Sequence, residues 1–175
     1  MKKLTLSVLV LSGLFVANAQ ANNTITFQGE VSDETCEVAI NGNTGNQTVL
    51  LPTIPATALA AVGATAGETS FTISVSGCSA AASALPIDTV FVGSSVTSSG
   101  NLGNTGSAQG VSIQLLDAVA GSPVDLTNGA SVTGLNVAIG ETSASHDFAV
   151  QYYAEDATVI AGSVISSVQY AISYQ

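Results

Sequence analysis

From Thr24 to Val31 the chain alternates apolar and polar positions without a break. Ile25, Phe27, Gly29 and Val31 fall on one side, and Thr24, Thr26, Gln28 and Glu30 on the other. A period of two is the mark of a β-strand with one face to bury. Val38 and Ile40 extend the alternation past Cys36, and Asn41–Asn46 then reads as a turn cluster. Thr48–Ile54 is a further apolar run closed by Pro52 and Pro55, and the Ala- and Gly-rich stretch Ala56–Ala66 fits either a turn of helix or a loop. Thr69–Cys78 alternates again, with Phe71, Ile73 and Val75 on one face.

The second half repeats this grammar. Pro86–Val92 reads as a strand, Gly93–Gly110 as a long Ser/Gly/Asn connection, and Gly110–Asp117 as a strand with Val111, Ile113 and Leu115 aligned. After a turn over Ala118–Asp125, Val132–Ile139 aligns Leu135, Val137 and Ile139, and Phe148–Tyr152 aligns Phe148, Val150 and Tyr152. The final strand is expected over Ser163–Gln175, with Val164, Val168, Tyr170, Ile172 and Tyr174 on one face. Seven to nine short strands with almost no helical periodicity give an all-β class, and a two-sheet β-sandwich is the expected architecture.

The first residues have a different pattern. Lys2 and Lys3 precede the apolar run Leu4–Val16, and small residues follow at spacings suited to cleavage after Ala21 or, alternatively, Ala19. Residues 1–21 therefore read as a secretory signal peptide. The run is too short to cross a bilayer, which takes about 20 apolar residues, so no membrane insertion is expected. The alternating strand at 22–31 would then stand at a free chain end, able to pair with its own domain or with another chain.

Removal of the leader takes Lys2 and Lys3, the two basic residues, and moves the formal charge from −10 to −12. Nucleic-acid binding is excluded, since phosphate contacts need Lys or Arg. Adsorption to anionic lipid is excluded for the same reason. The fold must rest on apolar burial, backbone pairing and covalent links. Cys36 and Cys78 lie in an exported chain, so a disulfide is expected between them. It would close a loop of about 43 residues, worth roughly 4 kcal/mol in the chain-entropy model.

Catalytic chemistry has little to work with. His146 beside Asp147 reads as a surface loop residue, and no G-x-S-x-G elbow accompanies the many serines. Asp33, Glu34 and Glu37 cluster around Cys36, and Glu155 pairs with Asp156. Neither cluster has the spacing of a Ca²⁺ loop, and both read as solvated turns. Two Cys and one His are too few for a zinc site. The chain is expected to be no enzyme and to use no cofactor or metal.

The motif T-I-T-F-x-G-x-V over 24–31, Cys36 after it, Cys78, and a C-terminal alternating strand ending in Tyr174-Gln175 together resemble a chaperone–usher fimbrial subunit of the type 1 pilin family. The resemblance spans the mature chain. A glycine fourteen residues from the C-terminus and a penultimate tyrosine, as found in that family, are here Gly162 and Tyr174. What the resemblance implies is an incomplete immunoglobulin-like sandwich, the pilin fold, over residues 32–175. A donor strand from another subunit would complete it. The donor extension would be residues 22–31, inserting Asn23, Ile25, Phe27, Gly29 and Val31. The groove that receives it, first filled by a periplasmic chaperone, would be edged by Gly162, Val168, Tyr170, Ile172 and Tyr174, with Gly162 letting the chain turn into the last strand.

The implied function is that of a structural subunit of a surface fimbria supporting cell adhesion. Copies of this chain or related pilins would join in a helical polymer, delivered through the periplasm by the chaperone and an outer-membrane usher. A major rod subunit is favoured over a minor adaptor. The alternative is a secreted monomeric β-sandwich that binds a host glycan or protein and keeps strand 22–31 for itself.

Overall fold

The computed structural model describes residues 36–80 and 82–175. The leader 1–21 and the proposed donor positions Asn23, Ile25, Phe27, Gly29 and Val31 lie outside the described residues, as do Asp33 and Glu34. Within them the chain forms β1 (Glu37–Ile40), a 3₁₀ turn (Ala56–Leu59), β2 (Thr65–Ser76), β3 (Leu85–Gly93) and β4 (Leu102–Gly103). It continues through β5 (Val111–Leu116), β6 (Ala130–Val137), β7 (Ala144–Ala154) and β8 (Val168–Tyr174). The strands make two antiparallel sheets, ordered β1-β2-β7-β5-β4 and β6-β3-β8.

Alternation decides what each strand buries. Phe71, Ile73 and Val75 of β2 are buried while Thr72 and Ser74 between them are not, and Leu135 and Val137 of β6 are buried as their period requires. The sheets meet through Phe91 of β3, whose ring stands edge-on to Phe148 of β7 at 5.1 Å between centroids, while Phe148 stacks on Phe71 at 5.6 Å within its own sheet. Offset and edge-on pairs of this kind add to the area that the rings bury.

Cys36 and Cys78 are joined in a disulfide. It ties the residue before β1 to the chain just past β2, whose ends are already aligned by the pairing of Glu37 with Ser76. The bond therefore closes the open end of an existing hairpin-like pair.

Several elements differ from the periodicity. Thr48–Ile54 forms no strand, because none of the described residues supplies its ladder. The last strand begins at Val168, and residues 163–167 run outside any regular element. The open choice at Ala56–Ala66 resolves into a 3₁₀ turn followed by the start of β2. Ile139 leaves the face it shares by period with Leu135 and Val137: β6 ends at Val137, and Ile139 is 70% exposed. β5 is buried on both faces, including Ser112 and Gln114, because the connections on either side of it fold over its outer surface. Backbone bonds from Val124 to Leu115 and from Leu126 to Gly100 hold that cover in place.

Two polar residues are also more engaged than the sequence suggested. His146 lies in β7 opposite Ile73, not in a surface loop. Its Nε2 lies 2.7 Å from the carbonyl oxygen of Asp117, and its ring stands edge-on to Phe148 at 4.6 Å. Glu155 is no solvated turn residue. Its carboxylate accepts hydrogen bonds from Ser112 (2.6 Å), Ser99 (2.8 Å), Thr97 (2.9 Å) and Asn101 (3.2 Å). Burial alone would raise its pKa, but the bonds from Ser112, Ser99, Thr97 and Asn101 outweigh it and hold the carboxyl below the ordinary value.

Candidate strand-acceptor groove

In the small sheet, β3 is flanked by β6 on one side and β8 on the other, so β8 is an edge among the described residues. Beyond that edge the chain leaves a trough of about 760 Å³. One wall is residues 45–51 and the other is residues 164–170, while Phe71, Ile73, Phe91 and Leu115 belong to its floor. The floor is thus the same apolar core that closes the sandwich elsewhere, left uncovered here by the described residues.

The walls are built by alternation without pairing. Val49 and Leu51 pack on the core, and Leu50 between them is 82% exposed. Opposite, Val164 and Val168 turn inward and Ile165 outward, 59% exposed. Among the described residues, neither residues 48–51 nor Val164 and Ser166 make any backbone hydrogen bond. Buried or half-buried backbone groups are almost always paired, so two such edges on either side of one apolar floor mark a strand position that the described residues leave unfilled.

A second cavity of about 410 Å³ continues the trough past Tyr152 and Val164, which border both spaces. Ile54, Leu59, Val111 and Gly162 line it. Gly162 matters here by close approach. A Cβ on it would stand 2.5 Å from Ala108 N and 2.7 Å from the carbonyl carbon of Ser107. Its φ is not in the left-handed region, so crowding against the loop 104–109, not a special turn into β8, is what requires glycine.

Of the residues named from the sequence, Val168 and Tyr170 lie in the groove wall and Gly162 in the second cavity. Ile172 and Tyr174 continue β8 away from both cavities, paired with Thr89 and Ile87 and packed on the core. The opposite wall, with Val49 and Leu51, was missed as a site. Its signal was an alternating apolar run with a proline at its end and no partner to pair with.

Residues 25–175 match the sequence profile of the family described as "Fimbrial protein". The chain belongs to the fimbrial protein family. This fimbrial subunit is 39% identical to the "F17 fimbrial protein" of Escherichia coli over 86% of each chain. It is 32% identical to the "Type-1 fimbrial protein subunit" of Serratia marcescens over the whole of both. It is also 37% identical to "Major fimbrial subunit SMF-1" of Stenotrophomonas maltophilia, covering 90% of this chain and 95% of that one. The fold is that of the P pilus rod subunit PapA, with a TM-score of 0.59 at 18% identity over 79% of this chain and 99% of that one. The fimbrial subunit is thus an all-β pilin-type sandwich from a family of surface structural proteins, not from a family of enzymes.

Proposed function

We propose that this fimbrial subunit polymerises by donor-strand exchange, with residues 22–31 of one subunit filling the groove of the next. The single observation that carries the reading is the pair of edges whose backbone groups find no partner among the described residues, 48–51 on one side and Val164 with Ser166 on the other, flanking one apolar floor. A strand laid between them gains a ladder on both sides and covers the floor with alternate side chains, which is β-augmentation. Residues 22–31 have the matching chemistry, with Ile25, Phe27 and Val31 on one face. Three such groups are worth roughly 5–9 kcal/mol when buried. A head-to-tail contact that does not close builds a helical filament.

The remaining assignments follow from that reading. Residues 1–21 are a signal peptide cut after Ala21 or Ala19, residues 22–31 the donor extension and residues 32–175 the pilin domain. An open apolar groove needs cover before assembly, and a periplasmic chaperone supplies it. Ile172 and Tyr174 continue its docking face along β8 beyond Val168 and Tyr170. An outer-membrane usher then exchanges the chaperone for the next subunit and delivers the fimbria to the cell surface. A major rod subunit is favoured over a minor adaptor, in keeping with the relative named a major subunit, although another relative, 31% identical, is named "Minor fimbrial subunit HifD".

The test is uptake of the synthetic peptide NNTITFQGEV by the mature subunit, followed by size-exclusion chromatography and thermal melting. Uptake should raise the melting temperature and block self-association, and a peptide with Phe27→Asp should do neither. A mature chain that stays monomeric and ignores the peptide would instead be a self-complete binding module, and the reading would fall.

A further inference from the structure

Residues 163–166 form the groove wall ahead of β8, and their backbone groups divide between two sides. Ser163 and Ile165 give theirs to the loop 104–109. Ser163 N–H donates to Ser107 Oγ at 3.0 Å and its carbonyl accepts from Ala108 N at 3.0 Å. Ile165 N–H donates to Asn104 Oδ1 at 2.8 Å and its carbonyl accepts from Thr105 N at 2.8 Å. All four groups are therefore taken on the side away from the groove.

Asn104 is the residue that holds the two segments together. Its Oδ1 accepts from Gly106 N as well as Ile165 N, both at 2.8 Å, and its Nδ2 donates to Ala108 O at 2.8 Å and to Ser163 O at 3.5 Å. Both lone-pair directions and both protons of the carboxamide are used, two within its own loop and two on the wall. The contact is tight enough that a side chain on Gly106 would meet the carbonyl of Ser163. In an extended chain the N–H and C=O of one residue point to one edge and those of the next residue to the other. With Ser163 and Ile165 engaged outward, Val164 and Ser166 present their backbone groups to the groove, where the described residues offer no partner.

We propose that Asn104 is a positioning residue for strand uptake. It holds the loop 104–109 along one edge of residues 163–165, closes that edge to any added strand, and aims Val164 and Ser166 at the incoming one. The loop stands in for a neighbouring strand without being one, so a donor can enter only from the groove side and pairs through Val164 and Ser166. This rests on the donor-strand reading above and specifies its register on this wall.

The test combines amide hydrogen exchange with peptide capture, using the mature chain and NNTITFQGEV. In wild type, Ser163 and Ile165 should be protected before the peptide is added, and the peptide should newly protect Val164 and Ser166. Asn104→Ala should expose the Ile165 amide and weaken capture roughly five- to thirty-fold, the weight of one or two hydrogen bonds. Val137→Ala, a core change on β6, should lower the melting temperature without weakening capture while the protein is folded. A merely structural role for Asn104 would make the two variants alike. Wild-type capture by Asn104→Ala, or new protection at Ser163 and Ile165 in place of Val164 and Ser166, overturns the proposal. If the variant does not fold, the wild-type exchange pattern alone decides. Failure of the wild type to take the peptide at all refutes the donor-strand reading, and this register with it.

Discussion

The imidazole of His146 on β7 lies over Gly134 on β6, so close that a Cβ at Gly134 would stand 2.5 Å from its Nδ1 and Cε1. Gly134 sits in a bulge, where Thr133 and Gly134 together oppose Asp88, and its φ is +146°. The contact joins the two sheets at a place where, among the described residues, β6 has no strand on its other side. Gly134→Ala should therefore cost about 1–3 kcal/mol, as overpacking does. His146→Ala in the same chain should return part of that loss. The coupling between the two changes should reach roughly 0.5–3 kcal/mol in a double-mutant cycle by urea denaturation. Strict additivity would mean that the ring and the glycine do not constrain one another.

Gly162→Ala meets backbone on both sides, at Ala108 N and Ser107 C, so neither neighbour can rotate away. It should destabilise the subunit by about 1–3 kcal/mol or displace the loop 104–109 from the groove wall. Denaturation of the peptide-filled subunit, with amide exchange at Ser163 as the local probe, separates these outcomes from no effect.

Thr89 faces the core at 1% exposure, and its Oγ1 has no hydrogen-bond partner among the described residues. A buried hydroxyl without a partner costs about 1–3 kcal/mol. Thr89→Val keeps the branched shape and removes the hydroxyl, so it should raise the melting temperature. A lowered one would show that the hydroxyl has a partner.

Glu155 ties the loop over β5 to β7, and its folded pKa lies below the ordinary 4.5. The unfolded chain then binds the proton more readily, so the group adds stability above that value and loses it as pH falls through the lowered one. Glu155→Gln keeps an acceptor but loses the charge, so it should be less stable at neutral pH by about 1 kcal/mol at most, the difference between a bond to a charged and to a neutral acceptor lessened by exposure to solvent. The gap should narrow as pH falls through 4.5 and on through the lowered folded value. Melting curves across that range that stay parallel would rule out this role.

The Cys36–Cys78 bond spans a sequence separation of 42. Replacing both residues with serine should cost roughly 4 kcal/mol, mostly by enlarging the unfolded ensemble. A thiol assay of unreduced mature protein should find none, and equal stability of the two forms would contradict the constraint.

The sequence by itself determined the class of the fold and the inward face of most strands, because a period of two records burial directly. It also exposed Cys36 and Cys78, and it placed Val168 and Tyr170 on a common face with the core. Periodicity names a face but not a partner. It could not say that residues 48–51 and 164–166, more than a hundred positions apart, would face each other across one apolar floor with no strand between them among the described residues. Nor could it show that Gly162 is needed for close approach to Ala108, that His146 belongs to a strand, or that Glu155 gathers four donors from two segments. Asn104 sits in a polar stretch that reads as plain loop, and its four bonds go to backbone groups, which carry no sequence signal. Only the tertiary structure decided which edges the described residues leave unpaired, since an unpaired edge is a relation between distant segments and no local pattern encodes it.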